Sequence, residues 1–364
     1  MKILYGIQGT GNGHISRSRM MARRLGERRD VEVTYLFSGR PKAEYFDMEI
    51  FGDFLCRRGL TFHVDKGQLQ YFQTLRHNSL LTFLKEVRTL NLSPYDLVIT
   101  DFEPVTAWAA RFSGKPVLGL GHQYAFAYDI PREGENLVSR LLMRNFAPAR
   151  RAIGLHWDSF GGPILPPIVD PELTKLAASL DHDERKIIVY LPFENQSDVT
   201  ELLRKLPDFQ FYQYSSGLTD GRQDNVHLRK ACHGGFMRDL CSSRAVICNA
   251  GFELVSEALQ LGLQILVKPL HGQPEQLSNA AALTHLDLGT RVNSLNREFI
   301  ADWLDELPAT DRNATSTSYP DVAAALVDWI ADGQNDNPAT LVERLWLQCR
   351  QSEYSEAMTP QFAK

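Results

Sequence analysis

The chain carries a histidine at the end of a glycine-rich turn, a combination that can move a proton beside a phosphate group. Lys2–Ile7 reads as a strand, Gly9-Thr10-Gly11-Asn12-Gly13-His14 as a turn, and the following segment as a helix. Ile15, Ala22 and Leu25 lie on one side of that helix, with arginines 17, 23, 24 and 28 spread outward. Glycines such as Gly11 and Gly13 let the chain turn sharply and bring backbone N–H groups to a ligand at the positive helix end. His14, in the first turn, can be held neutral by the helix dipole and act as a base. A lone histidine is more often structural, so this role calls for a partner. Asp101 and Glu103 follow the strand Leu97–Thr100, at the C-terminal edge of the same parallel sheet, where open α/β folds bind ligands. A carboxylate there can orient His14 and stabilise its protonated form. A helix cap or turn role is the alternative for Asp101.

The turn has a second reading, as a dinucleotide site. Against it, the spacing is G-x-G-x-G rather than G-x-G-x-x-G, and the second strand ends in Phe37-Ser38-Gly39-Arg40 without the ribose-binding acid. Arg40 would suit a 2′-phosphate, which keeps an NADP-dependent dehydrogenase as a rival.

The second constellation runs from Cys248 to Asn279. A strand ends at Cys248, the turn Asn249-Ala250-Gly251 opens a helix at Phe252, and its free N–H groups offer a pyrophosphate site without a metal. Glu257 lies six residues past Gly251, roughly 9 Å along a helix axis, about the span from a pyrophosphate to its ribose. A further strand, Ile265–Val267, delivers the loop His271-Gly272-Gln273, and Pro274 suits the first turn of another helix. Gln276 and Asn279, three apart on that helix, share a face and can bond sugar hydroxyls. Singly, each has a dull explanation as a solvated or turn residue. In this order they form a pattern.

Asn249–Asn279 resembles the nucleotide-binding signature of GT-B glycosyltransferases related to MurG and to the plant and animal UDP-glycosyltransferases. Gly-Asn-Gly-His-Ile-Ser-Arg17 and Thr100-Asp-Phe-Glu-Pro104 resemble a prokaryotic, MJ-type or family-28-like branch of them. The resemblance implies an α/β chain of GT-B type, two Rossmann-like domains whose parallel sheets face an interdomain cleft. It also implies inverting sugar transfer with no metal and no cofactor beyond a nucleotide sugar, UDP-linked by expectation, as co-substrate. By position, Gly251 with Asn249 and Phe252 would hold the diphosphate and Glu257 the ribose. Glu275, Gln276 and Asn279, beside the His271–Gln273 loop, would meet the donor sugar. Phe236-Met237, taken to precede a helix, would meet the base through backbone groups. His14 would be the base, with Asp101 its partner as in the plant enzymes; MurG-like members lack that acid. Tyr190-Leu-Pro-Phe-Glu-Asn195 stands where MurG has a glycine-rich turn, with Asn195 or Glu194 as substitutes. A nucleotide-sugar 2-epimerase, or a sugar-nucleotide-binding protein without activity, would share this architecture.

These residues need a frame. Short β-branched runs at Lys2–Ile7, Val31–Phe37, Leu97–Thr100, Val117–Leu120 and Ala152–Leu155, then Ile187–Leu191, Phe209–Tyr212, Ala245–Cys248 and Ile265–Val267, alternate with helical stretches, which implies parallel sheets covered by helices. The breakers Gly161-Gly162-Pro163 and Pro166-Pro167 divide an N-terminal acceptor domain (1–160) from a C-terminal donor domain (161–340). A terminal helix and tail (341–364) is free to pack back on the first domain. A length of 364 residues fits two domains of roughly 150 each.

Five cysteines without a C-x-x-C pair or zinc spacing read as free thiols, with no metal site. No apolar run approaches the roughly 18 residues of a spanning helix, and no signal-peptide pattern opens the chain, so a cytoplasmic protein is expected. The net charge of −5 hides an asymmetry: residues 1–155 hold 22 Lys+Arg against 15 Asp+Glu. The basic half is suited to an anionic partner, a phosphorylated or lipid-linked glycan acceptor or an anionic membrane face; a solvated surface of mixed charge is the alternative. Gln68–Leu90 and Asn136–Arg151 mix leucines with arginines as membrane-surface helices do, and as helices covering a sheet also do. Nucleic acid is not an expected partner, because the basic residues join no recognisable binding module.

Overall fold

The computed structural model describes residues 1–60, 64–65, 68–69, 79–308, 316–334 and 337–358. Strand β1 (Lys2–Gln8) enters helix α1 (Asn12–Gly26). Then come β2 (Glu32–Ser38), β3 (Leu55–Arg57), a hairpin of β4 (Val64–Asp65) and β5 (Gln68–Leu69), α2 (Leu80–Thr89), β6 (Leu97–Asp101), α3 (Pro104–Ser113), β7 (Val117–Gly121), α4 (Leu137–Phe146), β8 (Arg151–Leu155) and β9 (Ile164–Leu165). Seven strands make one parallel sheet in the order β3-β2-β1-β6-β7-β8-β9.

The second lobe contains α5 (Glu172–Ala178), β10 (Asp183–Tyr190), α6 (Gln196–Leu203), β11 (Gln210–Ser215), β12 (Gly221–Gln223), β13 (Val226–Lys230), α7 (His233–Cys241), β14 (Ser243–Cys248), α8 (Phe252–Gln260), β15 (Gln264–Val267), α9 (Pro274–His285), β16 (Thr290–Arg291) and α10 (Arg297–Asp305). Its sheet runs β12-β13-β11-β10-β14-β15-β16, parallel except for the edge pair β12–β13. Both sheets are covered on both faces, which is why β1 and β14 read as unbroken apolar runs rather than alternating ones.

Strand order reverses between β1 and β6 in the first sheet and between β10 and β14 in the second. Such switch points open a crevice at the C-terminal strand ends. His14 follows β1, Asp101 ends β6, and α8 follows β14, so the sequence candidates cluster at the two crevices.

The first sheet extends through Leu165, past the expected boundary at residue 160. Helices α11 (Val322–Ala331) and α12 (Pro338–Met358) return to the first lobe. Arg24 and Arg28 on and after α1 pair with Asp321 and Asp328 at the start and middle of α11, the latter pair at 2.9 Å. Trp346 on α12 donates its indole N–H to the Ile164 carbonyl at 2.7 Å. Thus α11, counted with the second domain from sequence, packs on α1. A continuous cluster of buried apolar side chains runs from Ile15 and Met21 through Trp157 to Phe252, Val255 and Leu326, so the lobes share core as well as surface.

Leu69, Tyr71, Phe72, Leu75 and Arg76 of the first amphipathic stretch belong to the 61–78 segment, whose side chains lie outside the described residues. Of the remainder, α2 turns Phe83 and Val87 inward and leaves Leu80, Leu81 and Leu84 exposed, while α4 buries Phe146 and exposes Leu137, Val138, Leu141 and Leu142. These helices therefore cover the sheet and still present apolar surface. Among the described residues, no helix is long and apolar enough to cross a membrane.

Candidate active site

Gly11 caps α1 through its backbone alone, placing His14 in the first turn. Its Nδ1 lies 2.8 Å from Asp101 Oδ1. The strand ladder pairs Ile7 with Asp101, which carries the acid to the level of the turn. Directly after Asp101 the chain turns at Phe102 with φ +52°, a conformation disfavoured for a bulky residue, and the ring stacks on Phe146 at 4.9 Å. Gly121 at the end of β7 has φ +151°, and a Cβ there would meet Asp101 Oδ1 at 2.9 Å and Arg17 Nη2 at 3.2 Å, so only glycine fits beside the acid.

Arg17 is not outward-facing. It is 2% exposed and gripped by Asp101 through Nε at 2.9 Å and Nη2 at 2.5 Å, while Nη1 pairs with Glu253 of α8 in the other lobe. Arg17 Nη2 also stands 3.0 Å from His14 Nδ1. One ring nitrogen cannot donate to Asp101 and accept from Arg17 together. Facing a carboxylate, Nδ1 carries the proton and donates it, leaving Nε2 as the basic nitrogen. Burial works to raise the Asp101 pKa, but Arg17 and His14 outweigh it and hold the carboxyl below the usual range. Burial and the nearby Asp101 charge push Glu253 up to about 7 against the pull of Arg17.

In the second lobe, α8 starts after Gly251 with no side-chain cap, and α9 likewise after Gln273. By contrast α2, α3, α4, α6, α10 and α11 are each capped by a side chain. Helices α5 and α7 also start without a side-chain cap; the uncapped starts of α1, α8 and α9 are the ones that hold the glycine turn, Asn249–Phe252 and Gln273–Glu275. A Cβ at Gly11 or Gly251 would meet nothing within 4 Å, so neither glycine is required by packing and the space beside each is open. Asn249 donates to the Lys268 carbonyl at 2.9 Å, while its Oδ1 and Gln273 Oε1 are buried without a partner. His271 is exposed.

Glu257, one turn beyond Glu253, accepts from Ser16 Oγ of α1 at 3.2 Å, and burial followed by the Glu253 charge pushes it up to about 8. Glu257 and Met237 line one small, partly open cavity of about 20 Å³ with Ser16, Asp170 and His233. The ribose and base candidates thus meet at one gap, against the first lobe.

The structure corrects several sequence assignments. Glu103 is a helix cap: fully buried, it accepts from the backbone N–H groups of Val105 and Thr106 at 2.8 and 2.6 Å and from the Ser38 and Thr106 hydroxyls at 2.6 Å each, two bonds per oxygen, so none is left for substrate. Asn195 caps α6, accepting from Ser197 N at 3.0 Å, and Glu194 pairs with Lys268. Phe236 and Met237 lie inside α7 rather than before it, and the Phe236 N–H is spent on the Cys232 carbonyl at 3.2 Å. Gln276 accepts from the Leu270 N–H at 2.9 Å, and Glu275 from Gln123 of the first lobe at 3.0 Å.

Asn279 is fully buried, donating to the Ala250 carbonyl at 2.9 Å with Oδ1 2.7 Å from His122 Nε2, so it ties the lobes together rather than facing a sugar. Arg40, the candidate for a 2′-phosphate, turns onto the glycine loop and bonds Gly9 O and Asn12 Oδ1 at 2.5 and 2.9 Å.

His122 itself was not singled out from the sequence. It stacks on Phe252 at 4.1 Å, its Nδ1 lies 2.9 Å from the Leu155 carbonyl, and burial holds it below the usual histidine range, hence neutral. A neutral ring has one N–H for two acceptors. One contact in the chain Leu155–His122–Asn279–Ala250 is therefore unsatisfied while the lobes are together. Arg17, Glu253 and Gln123 were also missed. Arg17 shares a helix face with His14 and Glu253 with Glu257, which is the signal that could have found them; His122 and Gln123 follow the C-terminal end of β7, where ligands gather.

Two parallel sheets with facing crevices and a shared cleft define a two-lobed GT-B glycosyltransferase. The model of glycosyl transferase family 1 matches residues 1–308, and the chain belongs to that family. Solved structures with this architecture include the glycotransferase of kitacinnamycin (15% identity, 99% of each chain covered, TM-score 0.58). The spinosyn rhamnosyltransferase SpnG is similar as well (14% identity, 95% of this chain and 100% of that one, TM-score 0.57). So is LpCGTa in complex with UDP (17% identity, 94% and 98%, TM-score 0.54). Comparison with curated proteins found no match.

Proposed function

We propose that this glycosyltransferase moves a sugar, with inversion and without a metal, from a nucleoside diphosphate, UDP by expectation, to an acceptor hydroxyl. The observation that carries the reading is the His14–Asp101 pair at the first crevice, opposite the uncapped start of α8 at the second. In this mechanism the acceptor hydroxyl gives its proton to His14 Nε2, its oxygen bonds the anomeric carbon, and the bond from that carbon to the diphosphate breaks on the opposite face. Asp101 supports the imidazolium that forms. The N–H groups opening α8 meet the charge growing on the diphosphate. Support for the nucleotide comes from the UDP complex of LpCGTa, a similar fold.

Small-molecule sites measure about 300 Å³ or more, far above the cavity at Glu257, so in this reading the lobes part to admit the nucleotide sugar and Glu257 exchanges Ser16 for ribose hydroxyls. Calorimetry with UDP, dTDP and GDP, followed by nucleotide release from a panel of sugar nucleotides with and without chelator, tests the reading. Binding of no nucleoside diphosphate would overturn it.

Closure should depend on pH. Closed, Glu253 and Glu257 titrate near about 7 and about 8; exposed by opening, they return toward 4.5. The closed arrangement therefore binds more protons between pH 4.5 and 8, is favoured as pH falls through that window and weakened as it rises. Small-angle scattering should show a larger radius of gyration at pH 8.5 than at pH 6.

The exposed leucines of α2 and α4, beside Arg140 and Arg144, favour a lipid-linked acceptor and contact with an anionic membrane face. The protein should float with vesicles containing phosphatidylglycerol, and Leu81→Ser with Leu137→Ser and Leu141→Ser should abolish flotation. Equal flotation with neutral vesicles would count against anionic recognition.

A further inference from the structure

Arg17 answers to three groups at once, and they belong to both lobes. It gives two N–H groups to Asp101 in the first lobe and one to Glu253 in the second, with Nη2 at the edge of the His14 ring. A guanidinium is always charged and too costly to bury without acceptors. Its distribution between the two carboxylates thus depends on whether α8 is against α1.

We infer, resting on the base role of His14 proposed above, that Arg17 is a positioning residue that couples the His14–Asp101 pair to lobe closure through Glu253. With the lobes together, Glu253 draws part of the Arg17 charge away from Asp101, and Asp101 is freer to hold a protonated His14. With the lobes apart, Arg17 loses that partner, settles wholly on Asp101 and repels a proton on His14. The base is then competent only once the donor lobe has arrived, which limits proton removal from the acceptor in an open cleft.

The charged and titratable groups around His14 bear this out as a closed set. Asp101 faces it from β6, Arg17 from its own helix and Glu253 from α8. Tyr5 of β1 stands behind Asp101 by way of Ser18. Glu257 acts on Glu253 from one turn along α8, and His122 and Gln123 approach Arg17 from the turn after β7. Arg17 is the one cation contacting the His14–Asp101 pair among the described residues.

The test is the pH dependence of turnover in Arg17→Met, Arg17→Lys, Glu253→Gln and His14→Ala. Removing the cation should move the acidic limb of kcat/KM to higher pH by about one to two units in Arg17→Met, with the limb restored in Arg17→Lys. In single-turnover rates with donor and acceptor saturating, so that the pH dependence of closure does not enter, Glu253→Gln should match the wild type below about pH 6, where the wild-type carboxyl is itself protonated, and fall about tenfold behind at pH 8.5, where it is ionised. A purely structural ion pair would lower the rate equally at all pH values and leave the limb in place, which would defeat the inference. Should Arg17→Met fail to fold, the pH-dependent deficit of Glu253→Gln decides alone. Retained turnover in His14→Ala would defeat the base assignment and the inference with it. Lost turnover there, with a pH-independent deficit in Glu253→Gln, would defeat the inference only.

Discussion

His14→Ala is expected to lower kcat by about 10²–10⁴-fold, the contribution of a positioned base to removing a proton from a hydroxyl far too weakly acidic to ionise at neutral pH. Binding of the nucleoside diphosphate should stay within about twofold of wild type, because the residues proposed to hold it lie on α8 and α9. The ring is mostly buried, with 15% of the side chain exposed, and its removal leaves Asp101 still paired with Arg17, so folding should survive. Single-turnover rates and calorimetry on one preparation separate the two effects. Wild-type kcat in the variant would return His14 to the large class of structural histidines.

The second large effect is on folding as well as turnover. Asp101 is fully buried and serves both His14 and Arg17. Asp101→Ala leaves a buried guanidinium short of its main acceptor and should cost about 3 kcal/mol, at the low end for a broken buried ion pair because Glu253 remains. That is a large share of a typical folding free energy of about 5–15 kcal/mol. It should appear as a lower urea midpoint at unchanged slope. Turnover should fall by about 10²–10⁴-fold, since the ring loses the group that sets its tautomer and supports its charge. Arg17→Met combined with Asp101→Leu removes the stranded charge along with its partner, and should regain much of the stability and none of the activity. An unchanged midpoint in Asp101→Ala would mean that the buried network does not support the fold as described.

Much of this molecule is readable along the chain. The strands at Lys2–Gln8, Leu97–Asp101 and Ser243–Cys248 are apolar runs bounded by turn residues, and their alternation with helices implies parallel sheets. Short elements such as β9, β12 and β16, of two or three residues, carry too little periodicity to be seen. The helix starts at Gly251 and Pro274 are local chemistry and fall where expected, whereas α1 already begins at Asn12, inside the stretch read as turn. Glu103 was legible in principle, since an acid directly before Pro104 is a strong cap signal.

The misreadings share one cause. Periodicity places an arginine outward because an unpaired buried charge is prohibitive. Whether it has partners is not a local property: Asp101 lies 84 residues from Arg17 and Glu253 lies 236 away. Asn279 reads as a free amide on a helix face until His122, 157 residues earlier, arrives opposite it. Residue type and short-range spacing suffice for the sheets, the glycine turn, the uncapped start of α8 and the candidacy of His14 with Asp101. Which charges are buried, which amides join the lobes and which acid shares its arginine follow only from the approach of two crevices, because the cost of burying a polar group is offset by partners that the fold brings from distant parts of the chain.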